Sequence, residues 1–424
     1  MRRIALATLV LATACSGSSA ATATQGAPAA AGDVDALVAH VRAVHPDPWH
    51  AVSEATFTAA AGRLKERLPS LGADATLVEL MRLVALLGPR DGHSGIFPLD
   101  VSHRGTLHLY PVRLYAFEDG VRVVAEVGGS RGLVGARVRS IAGHPVERVA
   151  AAVGPLVPSD NEHSRAARLW HWAVVAEVLH GLGLSPSARA AVFELELSNG
   201  RIVERSLEPV EARRYAGAFP DWFHPMVPQG LPRRARPAFL ARRTEPDWTT
   251  TLARGRVAYA AYNVTLGSSD ALAERLRRLA RRRALRAVVV DLRHNPGGEN
   301  RAYAQLLRTL VALGRSERIV VLTARTTFSA AANFLADLEA RVPVRIVGEA
   351  TGGSPNLIGD PSGLLLETTG WNVYVGTVWW RKSRAGANDP RLAFEPHVAV
   401  PLLWAPLASG RDTALAAAVA EALR

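Results

Sequence analysis

The chain has 424 residues, 48% of them apolar and 21% charged, a balance typical of soluble globular proteins with more than one domain. Its net charge of +12 comes almost wholly from arginine, because lysine occurs only at Lys65 and Lys382. We expect no nucleic-acid binding, since the arginine-rich stretch 275–286 is typical of a solvated helix face and no nucleic-acid-binding module is apparent. Cys15 is the only cysteine, which excludes an internal disulfide.

Residues 1–15 predict a secretory signal, because two arginines precede an apolar run that is too short to span a bilayer. The segment that ends at Cys15 resembles a bacterial lipobox, which predicts a membrane tether through that cysteine. Ordinary cleavage near residues 18–20 is the alternative. Both alternatives predict export, either to the cell envelope as a lipoprotein or periplasmic protein, or out of the cell. Residues 16–32 are rich in Ala, Ser, Thr and Gly and predict a flexible tether.

Residues 33–100 predict an N-terminal helical region with three amphipathic helices. His45-Pro46-Asp47-Pro48 separates the first helix from the second, and Ser53 is the expected N-cap of the second. After the third helix comes Asp91-Gly92-His93-Ser94-Gly95, a glycine-flanked turn that favours an exposed, positioned histidine at His93. A loop histidine that caps a backbone group is the alternative.

Residues 101–155 predict a β-rich module and residues 156–250 a linker or lid region that carries a hairpin. Residues 133–146 read as strand, glycine-containing turn, strand and helix, which resembles the second half of a peptide-binding PDZ-like module. Alternating residues on both sides of Ser198-Asn199-Gly200 predict the hairpin. Residues 210–250 carry Pro, Arg and Trp without a period and predict a long loop over the surface or over the cleft, where it would act as a lid.

Residues 251–424 predict an α/β core, because strand and helix patterns alternate at the spacing of parallel crossover units. The central strand, 287–292, is an apolar run that predicts burial on both faces. It ends at Asn295-Pro296-Gly297-Gly298, a turn whose glycines allow backbone amides to face a ligand. A second apolar run, 318–322, is followed by Thr327-Phe328-Ser329-Ala330, where a helix is expected to begin.

Ser329 is the candidate nucleophile. The helix N-terminus beneath it, the amide of Ala330 and one amide from Gly297 or Gly298 would together bind an oxyanion. A simple N-cap serine is the alternative. A serine nucleophile needs a base, and neither lysine lies shortly after the serine, so His93 is the best-placed candidate.

A carboxylate is expected to orient the histidine. Asp389, in Asn388-Asp389-Pro390-Arg391, is the first candidate, and Glu349 and Asp91 are the alternatives. Each of the three is otherwise an ordinary turn or surface carboxylate. No metal and no organic cofactor is needed for this chemistry.

Several of these stretches resemble the tail-specific, or C-terminal processing, serine peptidases. That family includes the tricorn core and the modules of interphotoreceptor retinoid-binding protein. The resemblance spans most of residues 34–405, and the matching stretches are 91–94, 133–146, 290–298, 327–331 and 347–353. It implies an α/β fold with a crotonase-like parallel-sheet core domain, an N-terminal helical region and a degenerate PDZ-like module.

The resemblance also implies roles for individual residues. Ser329 takes the place of the nucleophile, His93 that of the histidine in the tricorn-like Ser-His branch, and Ala330 with Gly297 or Gly298 that of the oxyanion hole. The chain departs from the Ser-Lys branch, which carries a lysine shortly after the serine, because Thr351-Gly352-Gly353-Ser354 stands in that region.

The function implied is a secreted or lipid-anchored serine peptidase that hydrolyses peptide bonds of proteins or peptides near their C-termini. It would act through an acyl-enzyme on Ser329 with His93 as base. One alternative is a catalytically inactive member that binds a peptide or apolar ligand in the same cleft, and another is an esterase or amidase. Five aromatic residues are candidates to line such a cleft, although core packing is favoured for most of them: Trp222, Phe223, Trp248, Trp379 and Trp380.

Overall fold

The computed structural model describes residues 27–100, 102–128, 132–219, 228–231, 236–281 and 284–424. The signal prediction, Cys15, and two of the cleft aromatics, Trp222 and Phe223, lie outside the described residues. Among the residues described, no helix has both the length and the apolar character needed to cross a bilayer.

The described helices and strands follow the order that the sequence predicts, with helices first, a β-rich middle and an alternating α/β end. The helices are α1 (Ala27–Val44), α2 (Glu54–Arg67), α3 (Ala73–Ala85), α4 (Val146–Val153), α5 (Glu162–Trp172), α6 (Ala176–Gly181), α7 (Ala212–Ala218), α8 (Ala238–Ala241), α9 (Asp270–Ala280), α10 (Ala304–Leu313), α11 (Ala330–Glu339), α12 (Trp404–Ala408) and α13 (Thr413–Ala422). The strands are β1 (His108–Leu109), β2 (Val112–Phe117), β3 (Gly120–Glu126), β4 (Arg137–Ile141), β5 (His144–Pro145), β6 (Ala191–Glu196), β7 (Ile202–Leu207), β8 (Val210–Glu211), β9 (Asp247–Leu252), β10 (Val257–Tyr262), β11 (Ala287–Asp291), β12 (Arg318–Thr323), β13 (Val344–Gly348), β14 (Asn356–Leu365), β15 (Asn372–Arg381) and β16 (Val398–Ala399).

The three N-terminal helices are confirmed, and so is the N-cap of α2, where Ser53 Oγ accepts a hydrogen bond of 3.1 Å from the Thr56 amide. The flexible tether predicted over 16–32 is wrong for residues 27–32, which are the first residues of α1. Four of these six residues are alanine, the strongest helix former, so the composition that favours a tether also favours a helix.

The β-rich middle is an antiparallel sheet with the strand order β2-β3-β4-β6-β7, and β5 pairs with β4 beside it. The predicted hairpin is confirmed as β6 and β7. Because β6 pairs with β4, this sheet continues beyond residue 155, the limit that the sequence suggests for the module.

The α/β core is a six-stranded sheet with the order β16-β13-β12-β11-β10-β9. Every neighbouring pair is parallel except β9 with β10, so the sheet begins at Asp247, slightly before the predicted residue 251. All five residues of β11 are buried. Side chains at alternate positions face helices α9, α10 and α11 on one side of the sheet and α13 on the other. Burial of each valine contributes about 1.5–3 kcal/mol, which makes this strand a rigid support for the turn that follows it.

A long antiparallel hairpin, β14 with β15, extends from the α/β core to the N-terminal helices. Gly95 and Tyr374 exchange backbone hydrogen bonds of 2.9 and 3.0 Å, and the Ile358 amide donates to the Arg90 carbonyl at 2.8 Å. We call residues 90–95 the His93 loop. The hairpin therefore carries the His93 loop, which comes early in the chain, to the edge of the core.

Candidate active site

Ser329 lies between β12 and α11 in a conformation that is rare for a side-chain-bearing residue, with φ 55° and ψ −127°. Backbone strain of this kind costs of the order of 1–3 kcal/mol and is concentrated at functional sites. The Ser329 side chain does not cap α11, although the residue occupies the N-cap position. The simple capping alternative therefore fails, and the hydroxyl is available for another partner.

That partner is His93. Its Nε2 lies 3.0 Å from Ser329 Oγ, although the two residues are 236 positions apart in the chain. For Ser329 to donate this hydrogen bond, Nε2 must be the unprotonated nitrogen, which leaves the ring hydrogen on Nδ1. The imidazole stacks on Phe328, with ring centroids 4.7 Å apart and planes inclined by 28°. The hydroxyl and the imidazole are thus placed for a direct proton transfer.

The charge state of His93 also suits a base. Burial and, after it, the nearby charge of Arg168 lower the pKa of His93, Asp91 and the Ile358 backbone oppose the shift, and the net pKa is about 4. A group with this pKa is neutral at pH 7 and can accept a proton.

The turn after β11 packs directly against the serine. Gly297 and Gly298 have φ values of 110° and 133°, which side chains rarely adopt. A Cβ on Gly297 would lie 2.5 Å from Ser329 Cβ and 2.9 Å from the Ala330 nitrogen. The Gly297 amide already donates to Asn295 Oδ1 at 3.0 Å, which favours Gly298 with Ala330 as the oxyanion donors.

None of the three candidate carboxylates orients His93. Asp389 accepts hydrogen bonds from Arg391 and from Ser383 Oγ, Glu349 pairs with Arg325 at 3.0 Å, and Asp91 accepts from His45 Nε2 at 2.9 Å. Within the described residues, His93 Nδ1 is buried and no carboxylate forms a hydrogen bond with it. The predicted contact between Asp389 and His93 is therefore not formed, because Arg391, two residues along the chain, engages that carboxylate.

The variant Asp389→Asn tests whether Asp389 stabilises the fold instead of orienting His93. Burial raises the pKa of Asp389, but hydrogen bonds from Arg391 and Ser383 outweigh it and lower the pKa to about 2. The ionised carboxylate thus stabilises the fold above pH 4, and this stabilisation is lost as the pH falls towards 2. We expect the variant to be less stable to denaturant at pH 7 than wild type, with a smaller difference at pH 3, while kcat changes less than about tenfold. A loss near the roughly 10⁴-fold cost of replacing an orienting aspartate would contradict the structure.

Two residues that sequence reasoning missed contact the His93 loop. The buried Asp160 carboxylate accepts from the Gly92 amide at 2.9 Å, and Arg168 donates to the Gly92 carbonyl at 2.7 Å. Asp160 is visible in the sequence only as part of a polar turn, and Arg168 as one more arginine on a helix. Asp160 is buried and Arg168 is half-buried, and this enclosure, which depends on the tertiary fold, is what distinguishes them.

The aromatic residues proposed to line a cleft are dispersed. Trp248 is buried in the core against Tyr259, with ring centroids 4.8 Å apart. Trp379 and Trp380 lie on β15, where Trp379 contacts His50 and Trp380 donates to Asp360. The described members of the set therefore do not form one wall. In the described parts of the chain, no three His, Cys, Asp and Glu side chains are grouped to hold a metal ion.

No protein-family model matches the sequence, and no curated protein matches it. Solved structures do match. Mature CPAF complexed with lactacystin aligns with a TM-score of 0.61 and 14% identity over 91% of this chain and 96% of its own. The chain shares the CPAF fold. Mature CPAF alone gives the same TM-score and identity over 94% of its length.

The likeness to CPAF establishes the fold alone, since the identity is low. It confirms the predicted α/β class, while the crotonase-like core and the PDZ-like module stay predictions. The photosystem II D1 C-terminal processing protease aligns over 88% of this chain and 93% of its own at 14% identity, with a TM-score of 0.40 that is too low to support an argument.

Proposed function

We propose that this protein is a serine-type peptidase that uses Ser329 as nucleophile and His93 as base. The 3.0 Å separation between Ser329 Oγ and His93 Nε2 is the observation that carries the proposal. Two further observations support it: the strained backbone of Ser329, and the resemblance of the surrounding motifs to tail-specific peptidases. The fold shared with CPAF is consistent with both.

The chemistry follows from the placement of these groups. Ser329 Oγ attacks the peptide carbonyl carbon while its proton passes to His93 Nε2. The amides of Ala330 and Gly298 bind the oxygen that becomes negative. His93 then gives the proton to the departing amine, and water hydrolyses the resulting acyl-enzyme with His93 again as base.

The substrate and location are further parts of the proposal. The motif resemblance favours proteins or peptides cleaved near their C-termini, with the sheet of β2 to β7 acting as the degenerate PDZ-like groove beside a crotonase-like core. The leader at residues 1–15 favours an exported protein, either tethered through Cys15 or released after ordinary cleavage.

A catalytically inactive protein that binds a peptide or apolar ligand is the second candidate. The observation that favours it is His93 Nδ1, which lacks a carboxylate partner in the described structure. In a serine triad such a partner holds the imidazole in the productive tautomer.

A fluorophosphonate probe, which reacts with activated serines, separates the two candidates. We expect the probe to label wild type and Ser53→Ala equally and to leave Ser329→Ala unlabelled. Ser53 is the matched control because it also occupies a helix N-cap but caps its own helix. A folded wild type that resists the probe, or equal labelling of Ser329→Ala, would favour the binding protein. Hydrolysis of a peptide library, against simple esters, then separates a peptidase from an esterase or amidase.

A further inference from the structure

No carboxylate holds the His93 ring in the described residues. Nε2 contacts Ser329, and the only other hydrogen-bonding group recorded as acting on the ring in this part of the chain is the Ile358 backbone. An imidazole without a carboxylate partner is less firmly oriented, and loss of geometry of about 1 Å can cost a reaction roughly 10²-fold in rate. In the proposed peptidase, the orientation of the imidazole must therefore come from the surrounding loop and rings.

The Asp160 carboxylate links the two loops that carry the catalytic pair. It is fully buried, its Oδ1 accepts from the Gly92 amide at 2.9 Å, and its Oδ2 accepts from the Ser354 amide at 3.0 Å. Gly353, the residue before Ser354, donates from its amide to the Thr327 carbonyl at 3.0 Å, two residues before Ser329. One side chain therefore joins the residue before His93 to the loop of the nucleophile.

Arg168 acts on the same loop from helix α5. Its Nη1 donates to the Gly92 carbonyl at 2.7 Å and to the Pro158 carbonyl at 3.0 Å. Its guanidinium lies 4.1 Å from the centre of the Phe328 ring, the ring on which His93 stacks. Both polar groups of the Gly92 backbone, and the face of the imidazole, are thus fixed through Asp160 and Arg168.

We propose that Asp160 and Arg168 are positioning residues for His93, and that together they replace the orienting carboxylate of a serine triad. They hold the backbone immediately before the imidazole and the ring against which it stacks. The inference rests on the proposed function, since it describes how the same base is held.

The charges around His93 give this role a measurable signature. Arg168 faces it from α5, Asp91 lies on its own loop and pairs with His45, and Asp160 lies behind Gly92. Burial is the largest cause of the low pKa of His93, and the positive charge of Arg168 is the next. Removal of that charge should raise the pKa of His93, so the acid limb of the rate profile should move to higher pH.

The test compares Arg168→Met, Arg168→Lys and Asp160→Asn by kcat and kcat/KM against pH on a peptide substrate. We expect Arg168→Met to lower kcat about 10²-fold, with little change in KM, and to move the acid limb up by about one pH unit. Arg168→Lys keeps the charge and should hold the acid limb near its wild-type position while it recovers part of kcat. Asp160→Asn loses one acceptor oxygen and should lower kcat without a matching change in KM.

Arg113→Met is the matched control, because Arg113 is a buried arginine whose guanidinium lies 5.1 Å from the Phe219 ring and whose charge is not among those that act on His93. Thermal unfolding identifies variants that fail to fold, and for these the folded fraction is titrated with the fluorophosphonate. An unshifted acid limb in folded Arg168→Met, or wild-type kcat in Asp160→Asn, would overturn the proposal. A wild type that the probe does not label would instead remove the proposed function.

Discussion

Replacement of His93 by alanine should lower kcat for peptide hydrolysis by about 10⁵-fold while leaving the protein folded, because the base of a serine mechanism contributes on that scale. The side chain contributes little to stability by comparison. It stacks on Phe328, and its Nε2 contacts Ser329 Oγ. Loss of such a stacked pair costs about 0.5–1.5 kcal/mol. Initial rates on a peptide substrate, with circular dichroism and thermal unfolding, measure both effects.

His180→Ala is the control for the histidine prediction. His180 Nδ1 lies 2.6 Å from Asp74 Oδ2 on the partly exposed surface of α6, so it has a carboxylate partner but no serine. This control should retain wild-type activity. The low pKa of His93 adds a second expectation, since wild-type kcat/KM should be insensitive to the protonation of His93 above pH 5 and fall as the pH drops through about 4. An unchanged rate in His93→Ala would remove histidine from the mechanism.

Gly297→Val should reduce kcat at least about 10²–10³-fold, the usual cost of losing one oxyanion donor. The added Cβ would lie 2.5 Å from Ser329 Cβ and 2.9 Å from the Ala330 nitrogen, so the serine and the helix start must both move. The backbone at φ 110° also disfavours a side chain, and strain of this kind costs of the order of 1–3 kcal/mol of stability. Steady-state kinetics and denaturant unfolding separate the two losses.

Gly200→Val is the matched control for the turn. Gly200 also has a positive φ, 79°, but a Cβ there would meet nothing within 4 Å. It should lose some stability and keep its activity, which distinguishes backbone strain from crowding at the oxyanion site. Full activity in Gly297→Val would contradict the role assigned to this turn.

Local patterns predict much of the fold. The apolar run of β11 and the alternation in β6 and β7 identify those strands because burial of one or both faces imposes the residue pattern directly. The proximity of Ser329 and His93 follows from the motif resemblance rather than from any local rule, since sequence patterns do not measure distance between remote segments.

The residues that surround His93 could not be predicted from the sequence. The sequence does not distinguish Asp389, Glu349 and Asp91, because all three are carboxylates. Only the three-dimensional structure shows that each already has another partner, such as Arg391 for Asp389 and His45 for Asp91. Asp160 and Arg168 are charged residues that composition assigns to the surface. Their contacts with Gly92 depend on how α5 packs against the His93 loop.

The long hairpin depends on the N-terminal helix of the protein. Its tip is held by Asp33 of α1, whose carboxylate oxygens accept from the Thr368 and Thr369 amides at 3.1 and 2.7 Å. Its sides pair with both ends of the His93 loop. Cleavage at Cys15 or near residue 20, the two proposed ends of a leader, would spare α1, whereas a protease that removed the chain up to and including Asp33 would release the hairpin tip. The hairpin, and through it the His93 loop, therefore limits how far the N-terminus can be shortened while the proposed site is kept.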